Sequence, residues 1–540
     1  MPTMEATGGH LVAEALKRAG VDVIYTLSGG HIFPIYDGCV KLGIRIVDVR
    51  HEQTAAFAAE AHGKLTGDVG VAVLTAGPGV TNGVSAITSA HFNGSPVLVL
   101  GGRAPQGRWG SGSLQEMDHV PVVASITKSA GTVFDASQCA VAVNEALRTA
   151  RSAHRGPVFL DFPMDALFVT ADGEVPEPSA PERLEPDADA LSKAIDLLAS
   201  AERPVVVAST DIWLAGAHPE LVRFVEKHRV PVVLNGMGRG LLPADHELVF
   251  ARARSTAFKG ADVVCVIGTR LDFRLGFGSF GEAKVVHVQD HPDEIATHAS
   301  PAVGVGGDLV ATLRAFADAP VTSTAARDEW IARLRTDETA RRAKEQPELE
   351  DDTYPIHPAR VYGVLRDKLD RDAIVIGDGG DFVSYAGKLV DVYEPGSWLD
   401  PGPFGCLGTG LGYAIAARVV HPDRQVVLMA GDGALGFCGM DMDTLVRLDL
   451  PVVIVVGNNG IWGLEKHPMQ MIYGYDVAAD LNPEARYDDV LRAFGGAGET
   501  VEKPTDLEPA LDRAFESGMP YLVNVKTDPA VAYPRSANLA

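Results

Sequence analysis

Two short segments carry oxygen ligands at a spacing suited to a divalent cation. Gly431-Asp432-Gly433 closes the apolar run 425–430, and Asn458-Asn459 closes a second run, 451–457, after a spacer of 24 residues. Apolar runs this short read as strands buried on both faces of a parallel sheet. Adjacent strand tips would bring the Asp432 carboxylate and the Asn459 amide oxygen together. Both are hard donors, of the kind that hold Mg²⁺ while it keeps phosphates in its shell. The glycines let the backbone come close enough for its N–H groups to meet a phosphate. A tight turn alone would also use Gly-Asp-Gly; the paired asparagines are what single this one out.

At this spacing the sequence resembles the thiamine diphosphate enzymes, whose cofactor motif is Gly-Asp-Gly, a spacer of this length and Asn-Asn. The resemblance assigns Mg²⁺ to Asp432, Asn459 and the main-chain carbonyl of Ile461. It sets Gly431, Gly433, Ala434 and Trp462 beside the cofactor. It also implies a glutamate near residue fifty that hydrogen-bonds the pyrimidine ring and so prepares the thiazolium carbon for attack. Glu52 stands there, after the strand-like run 45–50 and at the first turn of a small-residue helix. A glutamate at a helix start also complements the helix dipole. Gly29 follows the strand-like run 24–28, and Gly77, Gly79 and Asn82 follow 71–76. Ligands of open α/β sheets bind outside such strand ends. The resemblance implies that the loop 77–83 packs against the pyrimidine.

Over nearly its whole length the chain resembles the acetolactate synthase group, especially its actinobacterial members. Leu114-Gln115-Glu116 with Lys128 aligns with that group's Phe-Gln-Glu segment and downstream lysine, which implies that Gln115 bonds substrate oxygens. Leu407 aligns with the apolar wedge that bends the cofactor. Other residues point elsewhere. Pro468 stands where acetolactate synthases carry tryptophan. Gly460-Ile461-Trp462 is similar to 2-hydroxyacyl-CoA lyases and oxalyl-CoA decarboxylases, and the tail 534–538 to 2-hydroxyacyl-CoA lyases, so that Arg535 would either meet a CoA phosphate or belong to a disordered end. Glu465 is either a desolvated general acid or half of a surface pair with Lys466.

The implied reaction is a C–C carboligation or cleavage. A C2-enamine formed from a 2-keto acid passes to a carbonyl acceptor, with the splitting of a 2-hydroxyacyl-CoA, or an oxalyl-CoA decarboxylase type of reaction, as the alternative. An inactive scaffold of the same fold would most simply lack Glu52, Asp432 or Asn459, and all three are present.

The 540 residues suffice for three domains, and strand and helix signals alternate throughout. The expected fold is α/β, with three doubly wound parallel-sheet domains: 1–172 for the pyrimidine, 186–340 in the centre and 355–530 for the diphosphate, then a tail, 531–540. The linkers expected are the proline-rich 173–183 and the charged 341–352. The central domain lacks Gly-x-Gly-x-x-Gly, which disfavours a dinucleotide oxidoreductase; Asp290 at a strand end suits a ribose hydroxyl, and the resemblance implies FAD, ADP or CoA as candidate ligands there, with a purely structural domain as the alternative. A net charge of −24 argues against nucleic acid. Five scattered cysteines suit a reducing cytoplasm, and no run is long enough for a membrane span. Because Glu52 and Asp432 must grip one cofactor from different domains, the resemblance implies a homodimer or homotetramer with sites at the subunit interface.

Overall fold

The computed structural model describes residues 3–321 and 325–533. It contains three parallel sheets. In the first the order is Arg45–Asp48, Val23–Thr26, Gly70–Leu74, Val97–Arg103, Pro157–Pro163 and Ser129–Thr132. In the second it is Val232–Leu234, Pro204–Ala208, Val263–Ile267, Lys284–Gln289 and Val303–Gly306. In the third it is Trp398–Leu399, Ile374–Asp378, Val426–Gly431, Val453–Asn458, Tyr521–Lys526 and Ala497–Val501. The central strands are buried along their whole length, as strands covered by helices on both faces must be.

Packing divides the chain into two units. One comprises Met1–Glu182, Phe404–Pro422 and Gly436–Leu450; the other comprises Arg183–Pro403, Asp423–Leu435 and Pro451–Ala540. Two helices that follow strands of the third sheet, Gly410–Val420 and Met442–Arg447, therefore belong with the first sheet.

Two linkers differ from expectation. Gly173 and Glu174 pair with Met4 and Thr3 in a two-stranded antiparallel ribbon, so the first linker starts after them. The charged stretch 341–352 is not a break, because the helix Ala325–Leu349 runs through most of it. Its charges are the solvated face of a long helix, and Pro347 falls in the last turn, where only one ladder bond is forfeited. The tail residues 534–538, with Arg535, lie outside the described residues.

Candidate active site

Glu52 owes its place to a strand-to-helix corner. Thr26 and Asp48 pair at the end of the first two strands, and His51 then caps the helix Glu52–Thr66 by accepting from Gln53 N–H at 3.1 Å. Glu52 is 8% exposed, and its Oε2 accepts from Asn82 Nδ2 at 3.0 Å. Asn82 ends the short helix Pro78–Asn82, which begins after Gly77 at φ +58°.

The corner is clamped by a carboxylate that the sequence reading missed. Asp441, 1% exposed, accepts from Arg50 N–H at 2.7 Å and from Thr54 Oγ1 at 2.5 Å. Burial pushes its carboxyl above the usual range, against the pull of these donors. Arg447 adds a 3.0 Å contact to Asp48. The helix Gly410–Val420 lies close on the helix of Glu52: a Cβ on Gly412 would sit 2.8 Å from that of Phe57. Leu407, half-buried, precedes that helix in the same unit.

Gln115 adopts φ +59°, a left-handed conformation costly for a residue with a side chain. It stands against Gly77, where a Cβ would meet that of Gln115 at 2.9 Å. Gly29 and Gly79 are small for a different reason, since both close on the Thr75 side chain. Lys128 is drawn away from this group; its Nζ donates to the Ser152 carbonyl at 2.7 Å. Burial lowers the pKa of His31, whose Nδ1 lies 3.3 Å from Thr75 Oγ1 and which also bonds the Leu114 backbone.

In the other unit the two strand tips are neighbours: Gly431 pairs with Gly457. Asp432 is 3% exposed, and its Oδ2 accepts from Gly460 N–H at 3.0 Å. Burial raises its pKa to about 6. Asn459 Oδ1 accepts from Ile461 N–H at 3.1 Å, which folds its side chain onto the loop that carries the Ile461 carbonyl. The first asparagine of the pair is a brace, because Asn458 Nδ2 donates to Ala485 and Asn524 oxygens.

The two glycines of the motif differ. A Cβ on Gly431 would meet nothing within 4 Å, whereas on Gly433 it would strike the Trp462 ring at 2.5 Å. Ala434 is buried against Gly379. A desolvated carboxylate, an amide oxygen, a nearby carbonyl and open space at Gly431 fit a Mg²⁺-bound diphosphate. Glu465 is exposed in the first turn of the helix Gly463–Tyr473, not desolvated within the chain. Lys466 pairs with Asp476 and Asp480.

The same unit holds a cleft of about 800 Å³ that the sequence reading also missed. Arg239, Arg252, Arg254, Arg274, Lys344 and Lys388 line it, with Tyr533 at the start of the tail. Arg252 is paired with Glu345 and Asp391. Arg239 and Arg254 instead rest on carbonyl oxygens and on the rings of Trp398 and Phe258. Burial lowers both of their pKa values, that of Arg254 to about 10. Arg239, Arg252 and Arg254, inside the glycine-flanked and apolar stretches 236–240 and 249–254, were the available signal.

Three family models match the chain. They are the N-terminal thiamine pyrophosphate binding domain over residues 6–122, the central domain of thiamine pyrophosphate enzymes over 191–316, and the C-terminal thiamine pyrophosphate binding domain over 378–525. The acetolactate synthase large subunit IlvG of Mycobacterium tuberculosis is 54% identical over 547 residues, covering 100% of this chain and 99% of that protein. The 2-hydroxyacyl-CoA lyase 2 of Homo sapiens is 35% identical over 538 residues, covering 91% of this chain and 84% of that protein. That of Caenorhabditis elegans is 34% identical over 542 residues, covering 92% and 84%. Its domain matches and its full-length similarity to acetolactate synthases thus agree with the strand-end geometry: the chain belongs to the thiamine pyrophosphate enzymes.

Proposed function

We propose that this enzyme joins a 2-keto acid to a carbonyl acceptor in the manner of an acetolactate synthase, with thiamine diphosphate and Mg²⁺. The carrying observation is the buried Glu52 carboxylate held by Asn82 at 3.0 Å. Full-length similarity to acetolactate synthases supports the choice of reaction. Bound thiamine diphosphate supplies the nucleophilic carbon and the electron sink. Glu52 would bond the pyrimidine nitrogen and fix its proton placement, while Asn82 keeps the carboxylate oriented. Asp432, Asn459 and the Ile461 carbonyl would hold Mg²⁺, which relieves the desolvated Asp432. Gln115 would orient substrate oxygens. With pyruvate as both donor and acceptor, two pyruvates and one proton give acetolactate and CO₂.

The cationic cleft favours a second reading, the cleavage or synthesis of a 2-hydroxyacyl-CoA. Two half-buried guanidiniums that form no salt bridge among the described residues gain most from an anionic ligand, and the phosphates of a CoA ester would supply it. This reading makes the central domain a CoA site rather than an FAD or ADP site.

The active assembly in this proposal is at least a homodimer, with Glu52 of one copy and Asp432 of another on one cofactor. In its support, Met471, Ile472, Tyr473, Tyr475 and Val477 around the end of the helix Gly463–Tyr473 are each more than half exposed. An apolar cluster of this kind marks a surface that is covered in the assembly. No helix among the described residues is long and apolar enough to cross a membrane. The five cysteines form no disulfide among the described residues, which fits a reducing cytoplasm.

Product analysis with thiamine diphosphate and Mg²⁺ tests the proposal. Pyruvate alone is expected to give acetolactate. A 2-hydroxyacyl-CoA formed only from formyl-CoA and an aldehyde or ketone selects the second reading, and failure of both sets rejects each.

A further inference from the structure

Behind the Gly77–Gln115 contact lies a buried chain of polar groups that no part of the proposed chemistry uses. His119 and Asp161 are both fully buried. His119 Nδ1 lies 2.9 Å from Asp161 Oδ2, and His119 Nε2 accepts the Gly77 N–H at 2.9 Å. Arg103 Nη1 reaches the same Asp161 oxygen at 3.2 Å and Asp118 at 2.9 Å. Asp161 sits on the strand Pro157–Pro163 and Arg103 on the adjacent strand Val97–Arg103, so two central strands anchor the arrangement.

The partners fix the tautomer. A carboxylate only accepts, so Nδ1 carries the proton. A backbone N–H only donates, so Nε2 carries none. His119 is therefore a neutral imidazole locked between a strand carboxylate and the amide of a left-handed glycine. Without it, that amide would be left unpaired in the interior, a state proteins avoid. The geometry points to His119 as a positioning residue for the active site. Through the Gly77 amide it holds both the surface against which Gln115 stands at φ +59° and the start of the helix that delivers Asn82 to Glu52. His31 secures the other side of the same loop through the Leu114 backbone. This role rests on the proposed function of Gln115 and Glu52, but the arrangement itself does not.

The test uses the full chain with His119→Leu, His119→Asn and His119→Gln. Glutamine spans both partners, accepting from Gly77 and donating to Asp161. Asparagine is too short for both, and leucine can do neither. The first readout is amide hydrogen exchange of cofactor-free protein. Exchange at Gly77 and over 113–118 is expected to quicken about tenfold or more in the Leu and Asn variants and to stay near wild type in Gln. The second is turnover of whichever donor the wild type uses. A drop in kcat of about tenfold or more is expected for Leu and Asn, with thiamine diphosphate affinity within about threefold and with rescue by Gln. If the Leu variant does not fold, the Asn–Gln pair carries both readouts. Wild-type exchange and turnover in the Leu or Asn variant, or equal damage in Gln and Asn, would overturn the role. A wild type that turns over neither donor set rejects the proposed function alone, because the exchange result still decides the relay.

Discussion

The indole of Trp462 occupies the space that a Cβ on Gly433 would need, only 2.5 Å from the ring. The second glycine of the Gly-Asp-Gly segment is therefore demanded by an aromatic neighbour, while the first, Gly431, faces open space. Gly433→Ala forces the indole or the metal loop to move. A loss of about 1–3 kcal/mol is expected, with weaker binding of Mg²⁺ and thiamine diphosphate. Adding Trp462→Leu should return part of the stability. Denaturant melts with and without cofactor check this, and an unchanged midpoint in the single variant would refute the packing argument.

Glu52→Gln keeps an oxygen for Asn82 but removes the ionisable carboxyl. A fall in kcat of about 10²–10⁴ is expected, with the unfolding free energy within about 1 kcal/mol of wild type. Steady-state kinetics beside a denaturation curve separate the two quantities. Near-normal turnover would remove Glu52 from the chemistry.

Asp432 makes a prediction of opposite sign for metal-free protein. Its folded pKa, about 6, lies above the ordinary 3.8, so the folded state binds the extra proton between those values. Metal-free stability should therefore fall as pH rises from about 4 to about 6, by on the order of 3 kcal/mol at most. Asp432→Asn should raise the melting temperature of metal-free protein at pH 7 and abolish the stabilisation by Mg²⁺ with thiamine diphosphate. Melting scans over pH with and without Mg²⁺ decide it.

His62 shapes the acid limb. Burial, set against the nearby Asp68 charge, lowers its folded pKa to about 4, and Tyr25 Oη lies 3.2 Å from its Nδ1. The unfolded chain binds the proton first, so stability is lost as pH falls from about 6.5 to about 4. The loss is on the order of 3 kcal/mol at most. His62→Gln should flatten that part of the stability–pH curve, as urea midpoints at pH 7 and pH 4.5 would show.

The cationic cleft separates the two proposed substrates. Arg254→Ala should leave kcat/KM for pyruvate within about twofold, yet raise KM for an acyl-CoA about tenfold or more. Equal effects on both, or none on either, would detach the cleft from CoA binding.

Much of the fold was legible because parallel strands buried on both faces must be short and wholly apolar, and because Asp432 and Asn459 sit where such strands end, with Glu52 just after the edge strand Arg45–Asp48. The charged stretch 341–352 misled for a physical reason: helix surfaces and linkers share a solvated composition, and only the packing of Trp330, Ile331 and Leu334 marks the helix as anchored. Glu465 shows the reverse limit, since a carboxylate's exposure depends on what covers it and not on its distance from an asparagine.

Sequence alone determined the strand-tip placement of Asp432 and Asn459 and the alternation that makes parallel sheets, which follow from local periodicity, while the class of cofactor came from the resemblance carried by the Gly-Asp-Gly and Asn-Asn segments. Tertiary structure decided which distant groups hold them: Asp441 reaches back 391 residues to Arg50, and His119 reaches 42 residues to Gly77. It also decided that Trp462 covers Gly433 and that Arg239 and Arg254 rest on carbonyl oxygens and aromatic rings. Such pairings are set by how sheets and helices stack, and a one-dimensional pattern carries no record of that.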